Sequence, residues 1–312
     1  MSKQKVLIIG GTGFIGRNLL KEFPKDEFDV FVTSRKKRES SFNPQYLKVN
    51  LFDKNNLKKV FEQNEFEIII QCVQFDGHPV ERPWLGPEHT YLGFDAVVTE
   101  NIISALKDSK NRNCLKRFVY LSGAGIECDS MSEGYEDYNW SKAKRIAEKA
   151  VKESGLPFTI FRPSWIYGKG DKSMSMFVEL IRYVPLFPQI GDGQNPVNPL
   201  CIKDLTRIIF NSLNSPEAVG QTYVLGSPTN YTMDEVVKTI MKVLGKERPI
   251  IYHPLPLMKF IGTFTQFIPG FPISPDSVEF ITMDVTMKDL KEELFGVKIK
   301  NFEEGLLASG LI

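Results

Sequence analysis

The sequence predicts an α/β protein: a doubly wound parallel sheet (Rossmann) with a smaller, discontinuous C-terminal substrate domain. Three observations predict it. Short β-branched runs alternate with longer helical patterns through the first half. Those runs are apolar from end to end, as strands buried on both faces are. The first of them passes straight into a glycine-rich loop and a helix, in "VLIIGGTGFIG". With 312 residues and 42% hydrophobic content, the chain can fill such a core and carry an annexe.

Taken in order, "KVLIIG" is the first strand, and the helix that begins near Gly13 sets Phe14, Leu19, Leu20 and Phe23 on its apolar side. "DVFVTS" follows as a strand, then a helix from near Asp53, the strand "EIIIQCV", a helix from near Leu92 and the strand "KRFVYL". A further helix, from near Asp137, carries Trp140, Ala143, Ile146, Ala147, Ala150 and Val151 along one apolar side and leads to the strand "PFTIFRP". Strand-helix alternation of this kind implies right-handed crossovers. After Pro163 the pattern loosens into stretches marked by Gly and Pro, although "QTYVLG" reads as one more strand. The expected division is therefore residues 1–165 and 196–226 in a dinucleotide-binding domain, and 166–195 and 227–312 in a smaller substrate domain.

Composition narrows the partners. Lys and Arg total 39 against 38 Asp and Glu, a net charge of +1, so no global field draws the molecule to nucleic acid, and a small-molecule substrate is expected. The cysteines Cys72, Cys114, Cys128 and Cys201 form no CxxC pair, which points to reduced thiols. "MSKQKVLIIGG" has neither a cleavage region nor a span of membrane length, so the expected location is cytoplasmic. "PLPLMKFIGTFTQFIPGFPI", residues 254–273, is strongly apolar, but Lys259 and its prolines count against a transmembrane helix. Packing within the substrate domain is the expectation there, with a protein or membrane-surface contact as the alternative.

Gly10, Gly13 and Gly16 stand directly after the first strand and at the head of a helix. Glycines there let the backbone approach a pyrophosphate, and the helix start offers unpaired N–H groups. The second strand ends "VFVTSRKKR", where an NAD enzyme places an acid on the ribose; Ser34 and Arg35 instead suit a 2′-phosphate, so NADP(H) is preferred over NAD(H). In "YEDYNWSKAK", Tyr138 and Lys142 are one helical turn apart. An ammonium so placed favours a phenolate, which makes the tyrosine a usable acid or base. His78 and His89 lie in the long connection "QFDGHPVERPWLGPEHTYLGF" without acid or thiol partners at ligand spacing, so no metal is expected. Trp84 and Trp165 suit either a pocket wall or a core.

"GGTGFIG", "YNWSK", "FRPSWIYGKGD" and "IGDGQNPVNPLCIKDL" together make nearly the whole chain resemble the extended branch of the short-chain dehydrogenase/reductase superfamily. Within that branch it is similar to the atypical group that includes the accessory nucleotide-binding subunit of respiratory complex I and its stand-alone microbial relatives. The resemblance implies that Thr12, Phe14 and Ile15 face the phosphates between the three glycines, and that Tyr138 and Lys142 are the catalytic pair, with the lysine also on the ribose. It further implies that Asn50 and Leu51 lie near the adenine, Cys72 and Val73 near the ribose, and Pro163 and Ser164 beside the nicotinamide.

One position departs from the pattern. In "FVYLSGAG", Gly123 stands where catalytic members carry Ser or Thr, one residue after Ser122. Losing such a donor costs about two powers of ten in rate. Ser122 points to the other face of the strand, with a backbone-bonded hydroxyl as the expectation. The expected function is an NADP(H)-binding oxidoreductase moving hydride to or from a small carbonyl or alcohol. A catalytically quiet NAD(P)-binding module with a structural or redox-sensing role is the alternative, and a nucleotide-sugar epimerase or dehydratase a further one.

Overall fold

The computed structural model describes residues 3–34, 44–75, 80–126, 138–268 and 273–312. Its centre is built from β1 (Gln4–Ile9), α1 (Phe14–Leu19), β2 (Phe28–Ser34), β3 (Gln45–Lys48), α2 (Lys54–Gln63), β4 (Ile68–Gln71), α3 (Val97–Lys107), β5 (Arg117–Leu121), α4 (Asn139–Lys152) and β6 (Phe158–Pro163). A seventh strand, Gln221–Leu225, returns beside β6, so the order across the sheet is Gln221–Leu225, β6, β5, β4, β1, β2, β3, every pair parallel. Six of these strands match the apolar runs of the sequence. The exception is β3, whose residues "QYLK" are half-exposed at the sheet edge and therefore carry no buried-strand signature.

The alternation of β1 divides the core. Val6 and Ile8 face one side, where α1 and α6 (Ile202–Ser212) pack with Leu19, Leu205 and Ile209; Leu7 and Ile9 face the other, with Leu57, Ile102, Ala147 and Val151 from α2, α3 and α4. Each full burial of a leucine or isoleucine stabilises by about 1.5–3 kcal/mol, so the two layers together fix the strand order. In α4 the buried side is Ser141, Ala143, Lys144, Ala147, Glu148 and Val151. Ile146, expected on that side, is exposed, and two charged residues take part in the buried face because each finds a partner there.

A third cluster gathers Met174, Phe177 and Ile181 of α5 (Ser173–Tyr183), Val236, Val237 and Ile240 of α7 (Met233–Leu244), and Phe302 and Leu306 of α10 (Phe302–Ser309). α7 has a capping box, Thr232 with Glu235, and ends on left-handed Gly245. Between them lies α8 (Leu255–Thr265), which is packed on one side only. Met258 and Gly262 are buried, with Gly262 set so close to Ser274 and Pro275 at the head of α9 (Pro275–Ile281) that a Cβ would meet Pro275 N at 2.8 Å. Leu257, Phe260, Phe264 and Phe267 are exposed on the other side, the two rings of Phe260 and Phe264 meeting edge to face at 5.2 Å. Among the described residues no helix is long and apolar enough to cross a membrane.

Candidate functional site

The first βα turn is fixed by backbone contacts. Gly10 has φ +93°, and a Cβ there would lie 2.6 Å from Val73 N and 2.8 Å from Val73 Cα, so the chain leaves β1 through space that only glycine can occupy. A Cβ on Gly16 would press into the Gly11 backbone and lie 2.5 Å from Gly10 O, which is how the first turn of α1 sits down on the loop. Gly13 caps α1, its N–H donating to Gly10 O at 2.9 Å and its carbonyl accepting from Arg17 N at 3.0 Å. The N–H of Gly10 donates to Thr33 Oγ1 at 3.3 Å, tying the loop to β2. Thr12, Phe14 and Ile15 are half-buried, and Phe14 and Ile15 pack against the α1-side core.

The other expected residues stand mostly at carboxyl ends of parallel strands, where an open α/β sheet has its crevice. Cys72 and Val73 follow β4; the Cys72 N–H donates to Ile9 O at 2.9 Å, and burial pushes its thiol up to about 12. Pro163 ends β6, and its carbonyl accepts from Ala124 N at 2.8 Å. The Ser164 N–H donates to Leu225 O at 2.8 Å, while its hydroxyl oxygen is buried with no hydrogen-bond partner among the described residues. Ser34 is the last residue of β2, paired with Lys48; Arg35, and His78 with it, lie outside the described residues. Asn50 is engaged locally: its Oδ1 accepts from Phe52 N at 3.1 Å and its N–H donates to Asn56 Oδ1 at 2.9 Å. The Leu51 carbonyl accepts from Asn101 of α3 at 3.3 Å.

Tyr138 is the residue that caps α4, in an extended conformation, and the Lys142 N–H donates to its carbonyl at 3.0 Å. The two therefore flank the first turn of the helix, both half-exposed. Gly123 follows the end of β5. A Cβ on Gly123 would lie 2.5 Å from Trp140 Cζ2 and 2.9 Å from Cη2: the indole occupies the place of a side chain at this position. Trp140 belongs to a small aromatic cluster with Phe75, Tyr91, Phe94, Ala96 and Ala143. Ser122 is buried and its N–H donates to Phe161 O at 2.8 Å. Its hydroxyl lies against Glu148 instead of the backbone partner expected of it.

Two buried ion pairs that the sequence reading missed lie beneath these residues. Arg162 of β6 grips Glu148 of α4 by both ends, Nε to Oε1 at 2.8 Å and Nη2 to Oε2 at 2.5 Å. Burial pushes the Glu148 carboxyl up, but the hydrogen bonds of Arg162, the nearby Ser122 hydroxyl and the charges of Arg162 and Lys152 outweigh it and hold the group below its ordinary value. Lys144 meets Asp95 at 3.4 Å and lies 5.7 Å over the Tyr120 ring. Here burial wins against the one lysine, and the Asp95 carboxyl is raised. Asp95 is held by a π-helical turn, Leu92–Ala96, that leads into α3. The charged residue inside the apolar run "PFTIFRP" was the available signal for the first pair; nothing in the sequence distinguishes Lys144 from its surface neighbours.

The long connection after β4 reaches this site too. Glu81 accepts from Tyr91 N at 2.7 Å and from Asn139 Nδ2 at 2.6 Å, which clasps residues 81–91 to the head of α4. Trp84 in that connection is 74% exposed, so it is not a core residue. Trp165 is half-buried, its Nε1 donating to Ser173 Oγ at 2.9 Å. Among the described residues no group of His, Cys, Asp and Glu could hold a metal ion, and His89 lies in a short turn.

The site's features fit a dinucleotide: a backbone cradle without side chains at Gly10 and Gly16, and an unpartnered hydroxyl at Ser164 on the same edge of the sheet. Comparison with known proteins agrees on the fold. The chain is 25% identical over 297 residues to mouse NADH dehydrogenase (ubiquinone) 1 alpha subcomplex subunit 9, mitochondrial, spanning 91% of this chain and 73% of that protein. It is 24% identical over 296 residues to the chloroplastic divinyl chlorophyllide a 8-vinyl-reductase of Cucumis sativus, spanning 88% and 65%. Among solved structures, UDP-glucose 4-epimerase of Thermotoga maritima with UDP-glucose superposes with a TM-score of 0.71 at 16% identity, over 98% of this chain and 97% of that one. UDP-glucuronic acid 4-epimerase of Bacillus cereus, in complex with UDP-glucuronic acid and NAD, gives 0.65 at 17% identity, over 80% and 86%. The family model for the NAD dependent epimerase/dehydratase family matches residues 6–226, from the first buried residue of β1 to the residue after the seventh strand, and the chain belongs to that family.

Proposed function

We propose that the protein is an NADP(H)-dependent reductase of a small carbonyl compound. The observation that supports this reading is that Tyr138 caps α4 and Lys142 lies in its first turn, joined by a backbone hydrogen bond, at the head of the helix that follows β5. In this reading the backbone of Gly10, Thr12, Gly13, Phe14, Ile15 and Gly16 holds the pyrophosphate, and Ser34 and Arg35 hold the 2′-phosphate. Asn50 and Leu51 border the adenine, Cys72 and Val73 the ribose, and Pro163 and Ser164 the nicotinamide. The nicotinamide, when bound, supplies or accepts the hydride. Tyr138 gives its phenolic proton to the carbonyl oxygen, and the Lys142 ammonium stabilises the phenolate that remains while also holding ribose hydroxyls. Without a hydroxyl at 123, one side-chain donor to that oxygen is lost and more of the work falls to Tyr138.

That same gap supports a second reading, a catalytically quiet cofactor-binding module, because the indole of Trp140 fills the donor's place. Nucleotide-sugar chemistry of the kind named for the structural neighbours needs the missing donor more and is disfavoured. The test is loss of nicotinamide absorbance when NADPH and the protein meet a panel of aldehydes, ketones and quinones. Tyr138→Phe is expected to keep NADPH binding and lose about 10²-fold or more in turnover; a panel with no turnover at all moves the conclusion to the quiet module. Arg35→Ala is expected to weaken NADPH far more than NADH, and equal weakening of both removes the NADP(H) preference.

A further inference from the structure

We propose that Lys21, Lys169 and Lys203, with Arg17 between them and the glycine cradle, form an electrostatic funnel that speeds the approach of a phosphate-bearing dinucleotide. The proposal rests on the cofactor-binding part of the reading above. Three elements supply the cations: α1 and the short turn after it carry Arg17 and Lys21, the turn 168–170 carries Lys169, and the first turn of α6 carries Lys203. All four are exposed. Polar contacts gather them on one surface. The Lys21 ammonium donates to Asn18 Oδ1 at 2.8 Å, and Asn18 Nδ2 donates to the Lys169 carbonyl at 3.5 Å. A Cβ on Gly170 would lie 3.8 Å from both Arg17 Nη2 and Phe14 Cδ2, so this turn sits against the head of α1. Thr206 Oγ1 donates to Glu22 Oε1 at 2.9 Å and lies 3.3 Å from the Lys203 carbonyl, which sets Lys203 beside the end of α1. Arg17 reaches the cradle itself, its Nε donating to Gly13 O at 3.3 Å.

The acids nearby are committed elsewhere. Among the described residues none of the four cations takes part in an ion pair. Glu22, next to Lys21, accepts from Thr206; Asp204, next to Lys203, is fully buried and meets the Lys300 ammonium at 2.5 Å. Asp171, also buried, accepts from Gly168 N at 3.0 Å and Met174 N at 2.8 Å. Burial, and then the charges of Lys169, Lys203 and Arg17, pull the Lys21 pKa down against the weaker opposition of Glu22. The chain as a whole carries only +1, so the field is local to this surface. Such a field reaches a charged ligand over a Debye length, about 10 Å at 0.1 M salt and about 30 Å at 0.01 M. Lys21 stands four residues, about 6 Å along the helix, beyond Arg17, and its charge is therefore felt at the cradle. Attraction that acts before contact raises the rate of encounter more than the tightness of the bound state.

Stopped-flow fluorescence of NADPH, and of NADH, on the full chain separates association from dissociation. The variant to compare with wild type combines Lys21→Gln, Lys169→Gln and Lys203→Gln, which removes three charges and leaves Arg17 on Gly13. At about 20 mM salt its kon is expected to be about 3–10-fold lower, with koff unchanged and the gap closed by about 0.5 M salt. The single reversal Lys21→Glu is expected to lower kon in the same direction by about 2-fold, and it decides the matter alone if the triple variant melts early. Equal kon in variant and wild type at low salt overturns the proposal. So does a change confined to koff, or a slower kon that persists undiminished at about 0.5 M salt, since either marks a short-range contact instead of a field. Dinucleotide binding with an unaltered kon overturns the funnel alone, whereas a wild-type protein that binds neither NADPH nor NADH overturns the cofactor reading together with it.

Discussion

The glycines of the first βα turn and Gly123 at the end of β5 are both too crowded for a side chain, but what crowds them differs. At Gly10 and Gly16 the obstructing atoms are backbone: Val73 N and Cα, Gly11 and Gly10 O. At Gly123 they are the far carbons of one tryptophan. Backbone in a packed sheet cannot step aside, whereas an indole can change rotamer or be replaced. The first region is therefore a fixed device, and the second is an adjustable one, because its obstruction belongs to one side chain.

The largest effect expected is in the support beneath the adjustable region. Glu148→Ala leaves the Arg162 guanidinium buried without its bidentate partner, and breaking a buried pair in this way costs about 3–5 kcal/mol. Glu148→Gln keeps the volume and one acceptor and is expected to cost less. Denaturant titration reads both; a Glu148→Ala loss under about 1 kcal/mol would show that water reaches the pair and that α4 is not anchored by it.

Next in size is Gly16→Ala, expected to cost about 1–3 kcal/mol by overpacking and to weaken dinucleotide binding, with no single side-chain substitution able to restore either. Rescue is the point that sharpens the contrast, because Gly123→Ser is expected to be relieved by shrinking Trp140 and Gly16→Ala by nothing. Suppression of Gly16→Ala by any nearby side-chain truncation, read by melting temperature, breaks the distinction between the two regions.

The same contrast explains what was legible in the sequence. Gly10, Gly13 and Gly16 act locally, within one turn and the strands beside it, so their spacing announces the cradle and the sheet that goes with it. The five inner strands were legible for a similar reason, since burial on both faces leaves an uninterrupted run; of the two edge strands, Gln221–Leu225 keeps an apolar "YVL" and β3 leaves no such run. Gly123 was legible only as an absence. Its cause, Trp140, is distant in sequence and reads on a helical wheel as an ordinary member of the apolar side of α4. Lys144 and Glu148 read as surface charges because burial of a charge is decided by its partner, Asp95 or Arg162, on another element.

Glu148 of α4 and Asp95, which meets Lys144 of α4, give the finest test, since their shifts differ in sign. Glu148 has its folded pKa depressed: the unfolded chain binds more protons, so its contribution is complete above the ordinary carboxylate range and is lost as pH falls through the lower folded value. Asp95 has its folded pKa raised by burial: the folded chain binds more protons, so its contribution is present below the ordinary value and lost as pH rises through the folded one. On acidification the Glu148–Arg162 pair therefore weakens the fold while Asp95 partly offsets that loss. Melting temperature followed downward from neutral pH is expected to fall less steeply in Glu148→Gln than in the wild type, and more steeply in Asp95→Asn. Parallel slopes in all three proteins would mean that neither carboxylate changes its proton affinity on folding. Glu148 counts two cations and a hydroxyl around it against one lysine for Asp95, and with comparable burial that difference in partners sets the direction of each slope.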